Sequence, residues 1–330
     1  MKKLLLTTAL AAVAISGSAY SEIKVSGEIV QTITSQSYDA TASQVNGSSA
    51  IGSEVNVKFS GSKELTNGMT AAASIRLEDK DGTMYADQKA FSLSQGGFKV
   101  EFGIDTGSSI DGNLVANVGQ QAEDFNVSGS IAKAVINTPV HDKEHIGFSY
   151  KADMGEFTVN YAPSLATSVN ESKTTDAGGS ALEYLYQGGL GVEGLTVKIG
   201  QQVTKAANDS IAGADGGEKT ETVLGVMYKM GKVALAYTDR DNDDDTITTE
   251  VSGVKSASVS YNVSDNLSVS IERHEATQLG ATAKEKATLI GVGYNMGGLG
   301  LEAYYMSSED IAGTPGNDGN TVQLRTVFGF

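Results

Sequence analysis

Cysteine is absent from the 330-residue chain, and proline occurs only three times. Without cysteine, neither a disulfide framework nor a thiolate metal site can form, even in an exported chain. So few prolines beside 39 glycines point away from disorder, which is rich in both. They point toward long sheets, which exclude proline from the ladder and use glycine for turns and bends. Long apolar runs are missing beyond the N-terminus, and the mean hydropathy is -0.15. A membrane-crossing helix needs about 20 apolar residues, so a helical membrane protein is excluded. Basic residues are also few, 24 against 40 acidic ones for a net charge of -16, which argues against nucleic acid as a partner.

The one apolar stretch, Leu4 to Ile15, follows Lys2 and Lys3 and precedes Ala19-Tyr20-Ser21. A charged start, a short apolar core and small residues at the cleavage positions predict a signal peptide over 1–21, Sec-type export and a mature chain beginning near Glu22. A transmembrane anchor would need a longer core. No linker divides 22–330, which is expected to be a single domain.

What fills that domain is alternation. From Ile23 apolar and polar residues take turns, and in the last stretch Val322, Leu324, Phe328 and Phe330 share one parity while Gln323, Arg325 and Gly329 share the other. That is the period-2 signature of strands with two unlike faces. An unprotected apolar strand at the C-terminus would pair with other chains unless it is covered, so the last strand is expected to close a barrel against the first. Between them a unit recurs: long polar loop, strand, short turn, strand. Asn67-Gly68, Gly96-Gly97, Met230-Gly231 and Gly297-Gly298 mark four of the turns. The first and last strands plus seven hairpins give sixteen.

Short turns alternating with long loops place all turns at one end and all loops at the other, the layout of an outer-membrane barrel. In lipid only a closed barrel satisfies every strand's backbone groups. Tyr150, Phe157, Tyr161, Tyr184, Tyr186, Tyr228, Tyr237, Tyr261, Tyr294 and Tyr305 lie near strand ends, nearly all on the apolar parity, where a tyrosine buries its ring and wets its hydroxyl. A soluble sandwich also alternates, but it needs no such regular turn and loop order. The predicted fold class is therefore all-β, a transmembrane antiparallel barrel of 16 strands.

The run Ile51 to Met69, through Glu54-Val55-Asn56-Val57-Lys58-Phe59 and the Asn67-Gly68 turn, resembles the first hairpin of the trimeric general porins of Gram-negative bacteria. Lys89 to Ser94 with Phe98 to Gly103 resembles that family as well, and Phe330 matches its assembly signal. The closest flavour is that of the alphaproteobacteria, and the resemblance covers essentially the whole mature chain. It implies an outer-membrane homotrimer admitting small hydrophilic solutes and ions, and a long third loop that folds into the lumen. Ala71 and Ala73, small and outward, would allow close subunit packing.

The longest connection runs from Asp105 to about His141, and a loop of that length in a compact fold usually has a task. By the resemblance it narrows the pore, with Asp105, Asp111, Glu123 and Asp124 as its acidic candidates; a surface lid with solvated charges is the alternative. From the wall, the non-lipid parity offers Lys58, Arg76, Lys99 and Arg325 as a basic arc facing those acids across a narrow polar pore. Such a transverse field orients dipolar solutes, and the acidic loops predict a mild cation preference.

Asp239, Asp241 and Asp243, with Glu250 beyond, have EF-hand-like spacing, but Asp244 stands where that loop needs glycine and strands flank it. No resident cofactor is expected. A loosely bound divalent cation such as calcium in this acidic loop is the remaining metal reading. His141, His145 and His274 belong to no nucleophile or metal motif and are expected as solvated loop residues, so no catalytic residue is predicted. A substrate-selective porin, a non-conducting adhesion or binding barrel, and a barrel hydrolase are the other readings.

Overall fold

A computed structural model describes residues 23–38, 48–80, 83–104, 107–110, 114–116, 140, 143–163, 179–205, 218–244, 251–278 and 281–330. The segment read as a signal peptide lies outside them. The first eight strands are β1 Lys24–Tyr38, β2 Ser48–Glu64, β3 Thr70–Lys80, β4 Thr83–Gln95, β5 Phe98–Ile104, β6 His145–Ala152, β7 Gly155–Ala162 and β8 Ser180–Gly188. The second eight are β9 Leu195–Lys205, β10 Glu218–Met230, β11 Val233–Asp244, β12 Val251–Asn262, β13 Leu267–Gln278, β14 Glu285–Asn295, β15 Leu299–Glu309 and β16 Gly319–Gly329. Each pairs antiparallel with its neighbours in sequence, and β1 pairs with β16, so the sheet is a closed barrel.

Closure works as the terminal alternation requires. Ile29 faces Phe328 and Ile33 faces Leu324 across the β1/β16 seam. Beyond it the chain end is clamped by two backbone bonds, Gly27 N–H to Phe330 O at 2.9 Å and Phe330 N–H to Gly27 O at 3.0 Å. Gly27 is needed here because a Cβ would lie 2.3 Å from Asn56 O and 2.7 Å from the Phe330 ring. At the Asn67-Gly68 turn, Gly68 has φ 78°, which favours glycine, and its N–H closes on Leu65 O at 3.0 Å.

One face of each strand turns large apolar side chains outward. Phe157, Tyr184, Ile199 and Leu224 are about half exposed, while Thr158, Glu183, Gln202 and Glu221 on the opposite face are buried. All ten aromatics named above fall on the outward face, with Phe98 on Tyr150 at 4.5 Å and Phe157 on Tyr186 at 4.8 Å between ring centres. The inside is thus polar and the outside apolar, the reverse of a soluble sheet.

Several strands are longer than their alternation suggests. β2 begins at Ser48, where Ser48-Ser49-Ala50-Ile51-Gly52 is made mostly of small residues and carries no clear period. β4 runs from Thr83, well before the alternation of Lys89 to Ser94, and contains a bulge: Arg76 faces Gln88 but Leu77 faces Ala86. Asp87 is left unopposed, and the alternation slips by one residue.

Candidate functional site

A single inward register row links the two sides of the barrel. It passes from Ser62 through Ala72, Ser92, Glu101, Gly147 and Asn160 to Glu183. From there it continues through Gln202 and Glu221 to Asn242 on β11. On the β7–β12 side this face holds chain from the connection after β5. Asn160 Nδ2 donates to Ser108 O at 2.9 Å and to Glu183 Oε1 at 2.8 Å, and the other Glu183 oxygen accepts the Ile110 N–H at 3.1 Å. Ile110 packs with Leu185 and Val223, fully buried, and a Cβ on Gly200 would lie 2.4 Å from its Cγ2. Arg240 Nη2 then donates to Ile110 O at 2.7 Å.

Thr238 donates to Leu114 O at 3.0 Å, the Ala116 N–H donates to Ser258 Oγ at 2.6 Å, and Leu114 seats over Gly225. Val140 is buried with Ala162 and Ala181. Backbone groups leaving a strand must find partners once buried, and inward side chains of β7, β8, β11 and β12 supply them. Beneath this seam Gln202 donates to Glu221 at 2.8 Å, and Lys219 pairs with Glu221 at 3.2 Å.

A closed sixteen-stranded barrel with a polar interior, whose inward side chains bond residues 108–110 and 114–116 of the β5–β6 connection, meets its sequence match in one place: the family description "Gram-negative porin" fits residues 7–328. The chain belongs to the Gram-negative porin family. Solved structures agree on the fold. A mutant porin of Rh. blastica is 14% identical with a TM-score of 0.62, covering 94% of this chain and 100% of its own. OmpT of Vibrio cholerae, expressed in the outer membrane, is 12% identical with a TM-score of 0.61, covering 95% and 99%. A protein engineered for asymmetric conductivity is 14% identical with a TM-score of 0.63. No curated protein sequence matches.

Within this porin the predicted basic residues divide. Lys58 and Arg76 face each other directly across β2 and β3, and the Lys58 ammonium donates to Gln88 at 2.9 Å. Lys99 pairs with Glu101 at 2.5 Å, nearer the turns. Arg325 lies in register with Thr32, further along β1 than Ser26, the partner of Lys58. It is 4% exposed and sits 3.5 Å from Glu302. The acidic candidates Asp105, Asp111, Glu123 and Asp124 lie outside the described residues, as do His141 and Glu250.

The aspartates read as an acidic loop are strand residues. Asp239, Asp241 and Asp243 alternate along the outward face of β11, where same-face residues are about 7 Å apart. Asp239 is taken by Lys255 at 3.3 Å and by the Tyr237 hydroxyl at 3.2 Å. It begins an outward ladder of alternating charge, Asp239, Lys255, Glu275, Lys286 and Glu309, each opposite the next. Among the described residues no three His, Asp or Glu side chains converge on one point.

The described histidines are wall residues rather than solvated loop residues. His145 is 3% exposed. His274 has Ser256 Oγ 2.8 Å from Nδ1 and Glu272 3.1 Å from Nε2. That line of hydroxyl, imidazole and carboxylate resembles a hydrolytic triad, but Ser256 is 2% exposed and lies in mid-strand opposite His274. An acyl-transfer nucleophile needs access and converging donors for the oxyanion.

Proposed function

We propose that this porin is a passive, water-filled channel for small hydrophilic solutes and ions, constricted between the 105–141 connection and the basic wall of β2 and β3. The observation that carries this reading is the line of bonds holding residues 108–110 and 114–116 along β7–β12. On this reading Asp105, Asp111, Glu123 and Asp124 of that connection supply the negative charge that acts against Lys58 and Arg76. The chain's net charge of -16 favours cations modestly, within a screening length of about 8 Å at physiological salt. Channel conduction is the activity, without turnover.

The working unit is a homotrimer docked through the outward face around Ala71 and Ala73, reached after removal of 1–21. Purified protein in a planar bilayer gives stepwise conductance and a reversal potential of cationic sign; an absence of steps contradicts the channel. Cross-linking of the native protein gives a trimer band, and the mass of the mature chain reports whether it starts near Glu22.

A further inference from the structure

The inward wall of β1–β5 holds a recess of about 400 Å3, within the roughly 300–1,000 Å3 of small-molecule sites. The register explains its shape. Ser60 lies between Lys24 on β1 and Ser74 on β3, and the next row toward the turns is Ser62, Ala72 and Ser92. These short side chains form a floor, and Lys24 and Lys58 line its edge, with Glu101 opposite. Glu101 is neutralised by Lys99 at 2.5 Å, and Arg76 stands directly opposite Lys58. In a strongly acidic chain, the side chains lining this recess, Lys24 and Lys58 beside a Glu101 already paired with Lys99, are therefore on balance basic.

We infer that the recess binds an anionic, hydroxyl-bearing solute of monosaccharide size, a sugar phosphate or sugar acid, in the turn-side half of the channel. The inference rests on the channel reading and adds the solute class. An ammonium group has three donors and no acceptor, so Lys24 and Lys58 take phosphate or carboxylate oxygens as point charges. Serine hydroxyls both donate and accept, so Ser60, Ser74 and Ser92 match sugar hydroxyls in either sense. A neutral sugar satisfies only the serines, and a bare anion only the lysines.

The test uses glucose 6-phosphate against glucose on the purified, folded porin. In single-channel records, glucose 6-phosphate interrupts the current at concentrations where glucose does not, each record normalised to its own open level. Lys24→Ala weakens the interruption roughly tenfold, the effect of losing one charge-assisted hydrogen bond, and Ser74→Val, which fills the floor, weakens it too. Equal interruption by both sugars, or an undiminished effect in Lys24→Ala, overturns the recess. Saturation-transfer NMR with glucose 6-phosphate separates the two readings. Transfer that Lys24→Ala removes supports the recess even if no conductance steps occur, and its absence in a conducting protein defeats the recess alone.

Discussion

Strands β7–β12 and strands β1–β5 present the same inward face of one barrel, but they are furnished in opposite ways. On the first side Asn160, Glu183, Thr238 and Arg240 are each no more than 2% exposed and are bonded to chain from the connection after β5, with Gly200 and Gly225 as notches for Ile110 and Leu114. On the second side Lys58, Arg76, Ser60 and Ser74 are half-buried, and the small residues form a floor for solute. A polar wall can thus serve as a clamp for chain or as a surface for transport. Which it becomes depends on whether its hydrogen-bonding groups are spent on a connection laid against the wall or, as Lys58 is on Gln88, on the neighbouring strands.

The largest effect is expected on the clamped side. Arg240→Ala removes the donor to Ile110 O, a charge-assisted bond worth about 1.5–3 kcal/mol. It should raise open-channel current and noise in single-channel records and lower the denaturation midpoint. Gly200→Ala adds a Cβ where Ile110 already sits and should cost about 1–3 kcal/mol by overpacking, read as a lower unfolding temperature. On the open side, Lys58→Ala should leave stability nearly unchanged. It should move the reversal potential further toward cations, since a unit charge about 4 Å from an ion in water is worth about 1 kcal/mol, roughly fivefold. Ser74→Ala, smaller by one hydroxyl with no seam beneath it, should stay within about 0.5 kcal/mol of the parent stability. If Gly200→Ala and Ser74→Ala prove equally mild, the contrast between the walls is lost.

Much of the barrel was legible because period-2 alternation reports directly which face meets lipid. The Ile29–Phe328 closure, the turns at Gly68 and Gly231 and the outward tyrosines all follow from it. Legibility failed where that contrast fades. Ser48 to Gly52 is made mostly of small residues and shows no clear period, Asp87 shifts the phase at a bulge, and Asp239 to Asp243 resembles a loop although Lys255 pairs with Asp239 across the strands. The seam was not legible either. Asn160, Glu183 and Arg240 look like ordinary lumen residues in sequence, since their partners are backbone groups more than fifty positions earlier. One signal was available: a glycine at Gly200 and another at Gly225, each on the inward parity of a mid-barrel strand, where a close approach of other chain is a common reason for the residue. The basic arc was read from parity alone, which gives the face but not the position along the strand, and Arg325 accordingly lies apart from Lys58.

The central claim is that residues 108–110 and 114–116 lie on the inner wall of β7–β12. An ideal Cβ on Gly225 is 3.4 Å from the Leu114 Cβ, close to the roughly 3.5–4.5 Å of a disulfide, and the chain has no cysteine of its own. In the Leu114→Cys, Gly225→Cys double variant, mild oxidation of the folded protein should join the two thiols nearly quantitatively and leave neither open to maleimide. Two free thiols, both labelled after oxidation of the folded barrel, would contradict the account.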